Sequence, residues 1–155
     1  RGVGKVLSYR NQNAGMSLAE GLAEYYREHA FLKRGDQLSA EANEFFRCHD
    51  AVHVLYGCDT SLPQEAIVKL SSIFGTAAGF SVLKGYGLYE SIDIYRTLKL
   101  RDILATLLVS TVDVPRTLWR CSRQHKRWPW STFDEHLGTP LRDLRQRFGI
   151  RVAGE

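Results

Sequence analysis

The sequence predicts an all-α protein, a single-domain bundle of about five to seven helices, on three observations. Apolar residues recur at helical spacing along most of the chain, helix start and stop signals bracket those runs, and no long run alternates like a strand. The 155 residues are one domain's worth of chain, and 44% hydrophobic with 25% charged residues supports a buried core and excludes a disordered composition. No internal repeat or domain boundary divides it.

Ser17-Leu18-Ala19-Glu20 has the form of a capping box, and Leu18, Leu22, Tyr25, Tyr26 and Ala30 then follow at helical spacing. The first helix is predicted from Leu18 to Lys33, broken by Gly35-Asp36. A second runs from Ser39 through Ala42, Phe45, Phe46, Val52 and Leu55 to Tyr56, with Gly57 where a left-handed cap would end it. Pro63 suits the first turn of a helix, because its missing N–H would be unpaired there anyway. The third helix is predicted to begin near it and to carry Ile67, Leu70, Phe74, Ala77, Ala78 and Leu83, until Gly85-Tyr86-Gly87 interrupts. Tyr89 to about Thr111 forms a fourth, closed or kinked by Asp113-Val114-Pro115, with a short helix after Pro115. Thr139-Pro140 supplies the cap and first residue of the last helix, Leu141, Leu144 and Phe148 its apolar face, and Gly149 its stop.

The longest stretch without a formal charge, Leu70 to Leu83, is too short to span a bilayer as a helix. The amino end, from Arg1-Gly2, carries no apolar core of a secretory signal. Cys48, Cys58 and Cys121 are odd in number and widely spaced, which predicts reduced thiols in a reducing compartment. The formal charge of +4 is unevenly spread: residues 96 to 155 hold 12 Lys and Arg against 6 Asp and Glu. That imbalance suggests an anionic partner for one face, whether lipid headgroups, diphosphate or nucleic acid.

Residues 49 to 53 read His-Asp-Ala-Val-His near the end of the second helix. At about 100° per residue, His53 lies about 40° around the axis from His49, and Asp50 about 60° from His53, so all three donors fit one arc. Two imidazoles at this spacing can grip one metal ion, and a carboxylate beside them adds an oxygen donor. A reversal at Gly57 to Pro63 would place Glu65 in the first turn of the next helix, facing the pair. From this chain's residue frequencies, H-D-x-x-H arises by chance in about one such chain in a hundred. The donors are compatible with zinc, iron, cobalt or manganese. Cys48 and Cys58 flank the pair, but their spacing fits no Cys-x-x-Cys knuckle, and ordinary buried thiols are expected there; surface or packing roles are expected of His29, His125 and His136.

The segment from His49 to Thr60, with Glu65 following His53 after eleven intervening residues, resembles the motif of the coenzyme Q biosynthesis protein 4 family. Trp130 to Ile150, with Pro140-Leu141, Arg145 and Phe148-Gly149-Ile150, is similar to that family's closing segment, whereas residues 1 to 40 match loosely and 41 to 150 form the matched core. Ala51 and Val52 stand where a bulkier pair is common, and Pro63-Gln64 precede Glu65 where glycine is usual, with the four ligands intact.

The resemblance implies an all-helical protein of ubiquinone assembly whose His49, Asp50, His53 and Glu65 hold a divalent metal ion, by resemblance zinc. It further implies oxidative removal of the ring carboxylate from a polyprenylated hydroxybenzoate, with Asp50 and Glu65 as ligands or proton acceptors and Phe74, Ala77, Leu104, Leu107 and Leu108 as candidates to line a prenyl slot. Implied partners are a prenylated quinone precursor, a membrane surface and other ubiquinone-biosynthesis proteins; a homodimer is allowed for. The implied location is cytoplasmic and peripheral on the inner membrane in a bacterium, or the matrix side of the mitochondrial inner membrane. The rival reading is a non-catalytic, prenyl-lipid-binding organiser with a structural metal. Arg116 to Trp130 mixes basic residues with three tryptophans, which fits either a membrane interface or a solvated basic face with Trp packed inward; no nucleic-acid motif accompanies it.

Overall fold

Ser17 opens the first helix with a complete capping box: its hydroxyl accepts the Glu20 main-chain N–H at 3.2 Å, and the Glu20 carboxylate accepts the Ser17 N–H at 2.7 Å. The computed structural model describes residues 7–30, 38–89 and 100–155, with backbone alone at 88–89 and 100–109. Among the described residues are six α-helices: α1 (Leu18–Glu28), α2 (Ala40–Leu55), α3 (Leu62–Gly75), α4 (Val82–Tyr89), α5 (Leu100–Ser122) and α6 (Leu141–Phe148). Short 3-10 turns occupy Ser8–Arg10, Gly79–Ser81 and Phe133–His136, and the described residues form no strand, only isolated bridges at Ser17–Pro140 and Thr76–Trp128. The all-α class expected from the sequence is the class observed.

Five local expectations are corrected. The first helix ends at Glu28, short of Lys33, because His29 leaves helical geometry, packs on the Tyr25 ring and lies 3.3 Å from the Thr60 hydroxyl. The third ends at Gly75, because Thr76 becomes extended and its neighbours bond to another segment: Trp128 N–H donates to Gly75 O at 2.8 Å and Ala77 N–H to Trp128 O at 2.9 Å. Gly85-Tyr86-Gly87 lies inside α4 where a break was predicted; glycine costs about 1 kcal/mol in a helix, and at Gly85 any Cβ would overlap the Phe45 ring packed there. Finally, α5 runs unbroken through Pro115, so no separate helix follows it. Pro115 is exposed. The described part of α5 begins at Leu100; the expected start at Tyr89 borders residues outside the described set. The last helix starts one residue late, with Pro140 in the cap position where Thr139 was expected.

The core joins Leu18, Leu22 and Tyr25 of α1 to Val52, Val54 and Leu55 of α2, Ile67 and Val68 of α3, and Leu141, Leu144 and Phe148 of α6. Helix α3 lies along α5, while α2 packs between α1 and α3. Buried Arg145 of α6 binds this arrangement together. Its guanidinium donates to Leu55 O at 2.8 Å and Val54 O at 2.9 Å, at the carboxyl end of α2, and to Tyr9 O at 2.6 Å in the amino-terminal segment. A cation at the negative end of a helix dipole is favourable, and here it fixes where α2 ends. No helix among the described residues is long and apolar enough to cross a membrane.

Candidate metal centre

Two consecutive turns of α2 carry His49 and His53, whose rings lie 4.6 Å apart between centroids. At Gly57 the backbone takes a φ of 69°, a left-handed conformation that costs L side chains about 1 kcal/mol or more. Any Cβ there would also press on Val152 at 3.0 Å. The chain then turns through Cys58 to Ser61. Cys58 N–H donates to His53 O at 2.8 Å, Asp59 N–H to the Gln64 side chain at 2.9 Å, and Ser61 N–H to the Asp59 carboxylate at 2.9 Å. Arg10 pairs with the same Asp59 carboxylate at 3.0 Å. With Pro63 in its first turn, α3 starts immediately beyond this loop and brings Glu65 back against α2.

The outcome is a three-donor cluster. Glu65 Oε1 is 3.1 Å from His53 Nε2, and Glu65 Oε2 is 3.4 Å from His49 Nε2. Donor atoms of the three residues lie within 4.8 Å of one another and could hold a metal ion. For bonds of about 2.0–2.1 Å, neighbouring ligands of a tetrahedral ion stand about 3.3–3.4 Å apart, close to both separations. Asp50 is not one of the converging donors. Its Oδ1 lies 3.3 Å from Nδ1 of His49, the ring nitrogen turned away from Glu65, because one residue of helix rotates it to the far side of that imidazole. A carboxylate there fixes the ring's orientation and raises the basicity of the nitrogen that faces the cluster.

Both histidines and Asp50 are buried, with His53 fully so, while the Glu65 side chain keeps 28% of its surface open. Two carboxylates among buried neutral imidazoles leave an excess of negative charge, which a proton or a metal cation must offset. Without metal, His49 takes that proton: burial opposes its charge, but the bonds to Asp50 and Glu65 and the charges of both outweigh burial and push its pKa up to about 10. Burial raises Glu65, yet hydrogen bonds and charge from the two imidazoles dominate and hold its carboxyl well below the usual range. The donor set, its charge and its separations all fit a divalent ion.

Aromatic rings enclose the imidazoles. Phe45 stacks on His49 at 6.0 Å and Tyr25 on His53 at 5.2 Å, while Tyr86 meets His49 edge-on at 5.6 Å. Phe45 and Trp130 pack against a small second core of Ile73, Val82 and Tyr86, which adjoins the site. Sequence reading missed this wall: Tyr25 and Phe45 were assigned only to helix faces and Tyr86 to a break, and their spacing was the sole available signal.

Of the residues expected to line a prenyl slot, Phe74 and Ala77 are exposed, and the side chains of Leu104, Leu107 and Leu108 lie outside the described residues. Cys48, Cys58 and Cys121 are buried free thiols, none part of the metal cluster. His136 packs on Trp128 and Phe148. The three tryptophans divide: Trp128 is fully buried, Trp130 partly so, and Trp119 is 63% exposed. In comparisons with known proteins, no family model, curated protein or solved structure matches this chain.

Proposed function

We propose that this protein is a metal-dependent enzyme of the coenzyme Q biosynthesis protein 4 type, acting on a polyprenylated hydroxybenzoate by oxidative decarboxylation. The observation that carries the enzymatic reading is that, among the described residues, only three side chains converge as donors. Structural zinc sites close with four protein ligands, whereas catalytic ones keep a position open beside three. Here two histidines and one glutamate converge, and the glutamate side is the open one. The motif His49-Asp50-x-x-His53 with Glu65 supplies the resemblance on which the substrate rests.

In the overall reaction the bond between the ring carbon and its carboxylate breaks, carbon dioxide leaves, and the same carbon gains an oxygen atom from dioxygen as oxidant. One dioxygen serves two substrate molecules, so that two acids and one dioxygen give two phenols and two molecules of carbon dioxide. A bound divalent ion would supply Lewis-acid stabilisation of negative charge on the aromatic headgroup. His49, His53 and Glu65 would hold that ion, zinc being the expectation from the resemblance. Asp50 keeps His49 turned towards it, and Glu65, whose side chain keeps 28% of its surface open, would accept a proton from a bound phenol. The rings of Phe45 and Tyr86 exclude water from the buried side.

The test supplies metal-loaded protein with a prenylated hydroxybenzoate under isotopically labelled dioxygen. Labelled oxygen on the ring and release of carbon dioxide, both lost in Glu65→Gln, are expected; an unchanged substrate, with and without oxygen, sinks the proposal. The rival lipid-binding organiser is favoured by one observation, the exposed rings of Phe74 and Phe80, 5.7 Å apart. Under that reading Glu65→Gln would leave pathway output intact.

A further inference from the structure

A cleft of about 1060 Å³ lies away from the metal cluster and shares no residue with it. Five arginines line it from three segments: Arg120 and Arg123 at the end of α5, Arg142 and Arg145 on α6, and Arg151 beyond it. Only two acidic side chains, Asp143 and Glu155, line it with them. We infer that this cleft binds a phosphorylated ligand, with exposed Arg123, Arg142 and Arg151 contacting the phosphate oxygens and buried Arg120 and Arg145 supplying fixed positive charge behind them.

Three observations carry the inference. First, the two buried guanidinia are anchored to main-chain oxygens: Arg145 to Leu55, Val54 and Tyr9, and Arg120 to Ala153 and Glu155. Main-chain carbonyls satisfy Arg145 and, at Ala153, Arg120 without cancelling their charge; Glu155 offsets part of it, and with five arginines against two acidic side chains the cleft remains positive. Burial, then repulsion from Arg116, holds the Arg120 pKa below its ordinary value. Secondly, the three remaining arginines are exposed on a concave surface, where planar guanidinium forks can meet phosphate oxygens in pairs. Thirdly, Trp119 forms part of the lining and is 63% exposed, a flat apolar surface beside the cations for whatever group bears the phosphate. A lone sulfate-sized ion would leave most of this volume empty, so a diphosphate or a phosphate ester fits better. The metal reading could fail without touching this inference.

The test is calorimetric titration of the full chain with inorganic diphosphate at low salt. Because diphosphate also chelates metals, Glu65→Gln, whose cleft is intact, is titrated alongside and is expected to bind equally. The double variant Arg123→Gln/Arg142→Gln alters two exposed residues and is expected to weaken binding by about tenfold or more. A second arm asks whether the phosphate belongs to a lipid, by flotation with phosphatidylcholine vesicles with and without phosphatidic acid. Capture by phosphatidic acid that free diphosphate reverses identifies a headgroup in the cleft; diphosphate binding without capture identifies a soluble ligand. No diphosphate binding, or binding undiminished in the double variant, overturns the inference.

Discussion

Glu65 Oε1 lies 3.1 Å from His53 Nε2, although eleven residues and a helix break separate them in the chain. This one contact converts a histidine pair on a helix into a group of three donors that could hold a metal ion. Its loss should be all-or-none for the metal: Glu65→Ala or His49→Ala is expected to abolish stoichiometric binding as read by elemental analysis. Asp50→Asn, which keeps a hydrogen-bonding oxygen beside His49 but removes the charge, should weaken affinity by about ten- to a hundredfold and leave the stoichiometry unchanged.

Protonation competes with metal. His49 in the metal-free protein is raised from 6.5 to about 10, so it contributes stability fully present below pH 6.5 and lost as pH rises through about 10. Glu65 is depressed below 4.5, so its contribution is present above that pH and is lost as pH falls through its lower folded value. Chelator-treated protein should therefore melt highest between those limits, at about pH 4.5–6.5. Metal must displace the His49 proton, so affinity should rise by about tenfold per pH unit between pH 6.5 and 9, with proton release measurable in weakly buffered solution.

Gly57→Ala places a side chain at a φ of 69° and against Val152. The expected cost is about 1–3 kcal/mol in urea unfolding. Metal affinity should fall more than this global loss suggests, because the turn that returns Glu65 is the part strained. Equal affinity in a destabilised variant would argue against that role for the turn.

Arg145→Met should be among the most damaging substitutions in the chain. It strands the carbonyls of Tyr9 and Leu55 in the interior, at about 1–3 kcal/mol for each buried group left unpaired, and leaves Val54 O to the Gly57 N–H at 3.2 Å. Urea titration followed by circular dichroism is the measurement, and a change below about 1 kcal/mol would refute the structural role assigned to this residue.

Signals that act within a few residues were legible in the sequence. The Ser17–Glu20 box, the left-handed Gly57 and Pro63 in the first turn of α3 all occupy their expected places, and together they return Glu65 to the histidines. Elsewhere tertiary partners overruled local chemistry: Trp128 ends α3 at Thr76, and the Phe45 ring makes use of Gly85 inside a helix. The position of Asp50 behind His49 required a side-chain orientation that an arc of helix angles leaves open. The arginine cleft was visible only as a charge imbalance, because its members come from separate segments that folding assembles.

Arg145 also determines when, during synthesis, the molecule can close. Its contacts to Tyr9 and Leu55 bridge 136 and 90 positions of sequence, so those residues are held by one made much later. While the chain is still on the ribosome, α2 can form and its histidines can meet Glu65, but the carboxyl end of that helix stays unlatched until α6 has left the exit tunnel. Folding by distant contacts is slow, since loop closure precedes the reward of contact. A nascent chain stalled before residue 145 would present its binding helix with an open end, an early target for chaperones or for degradation.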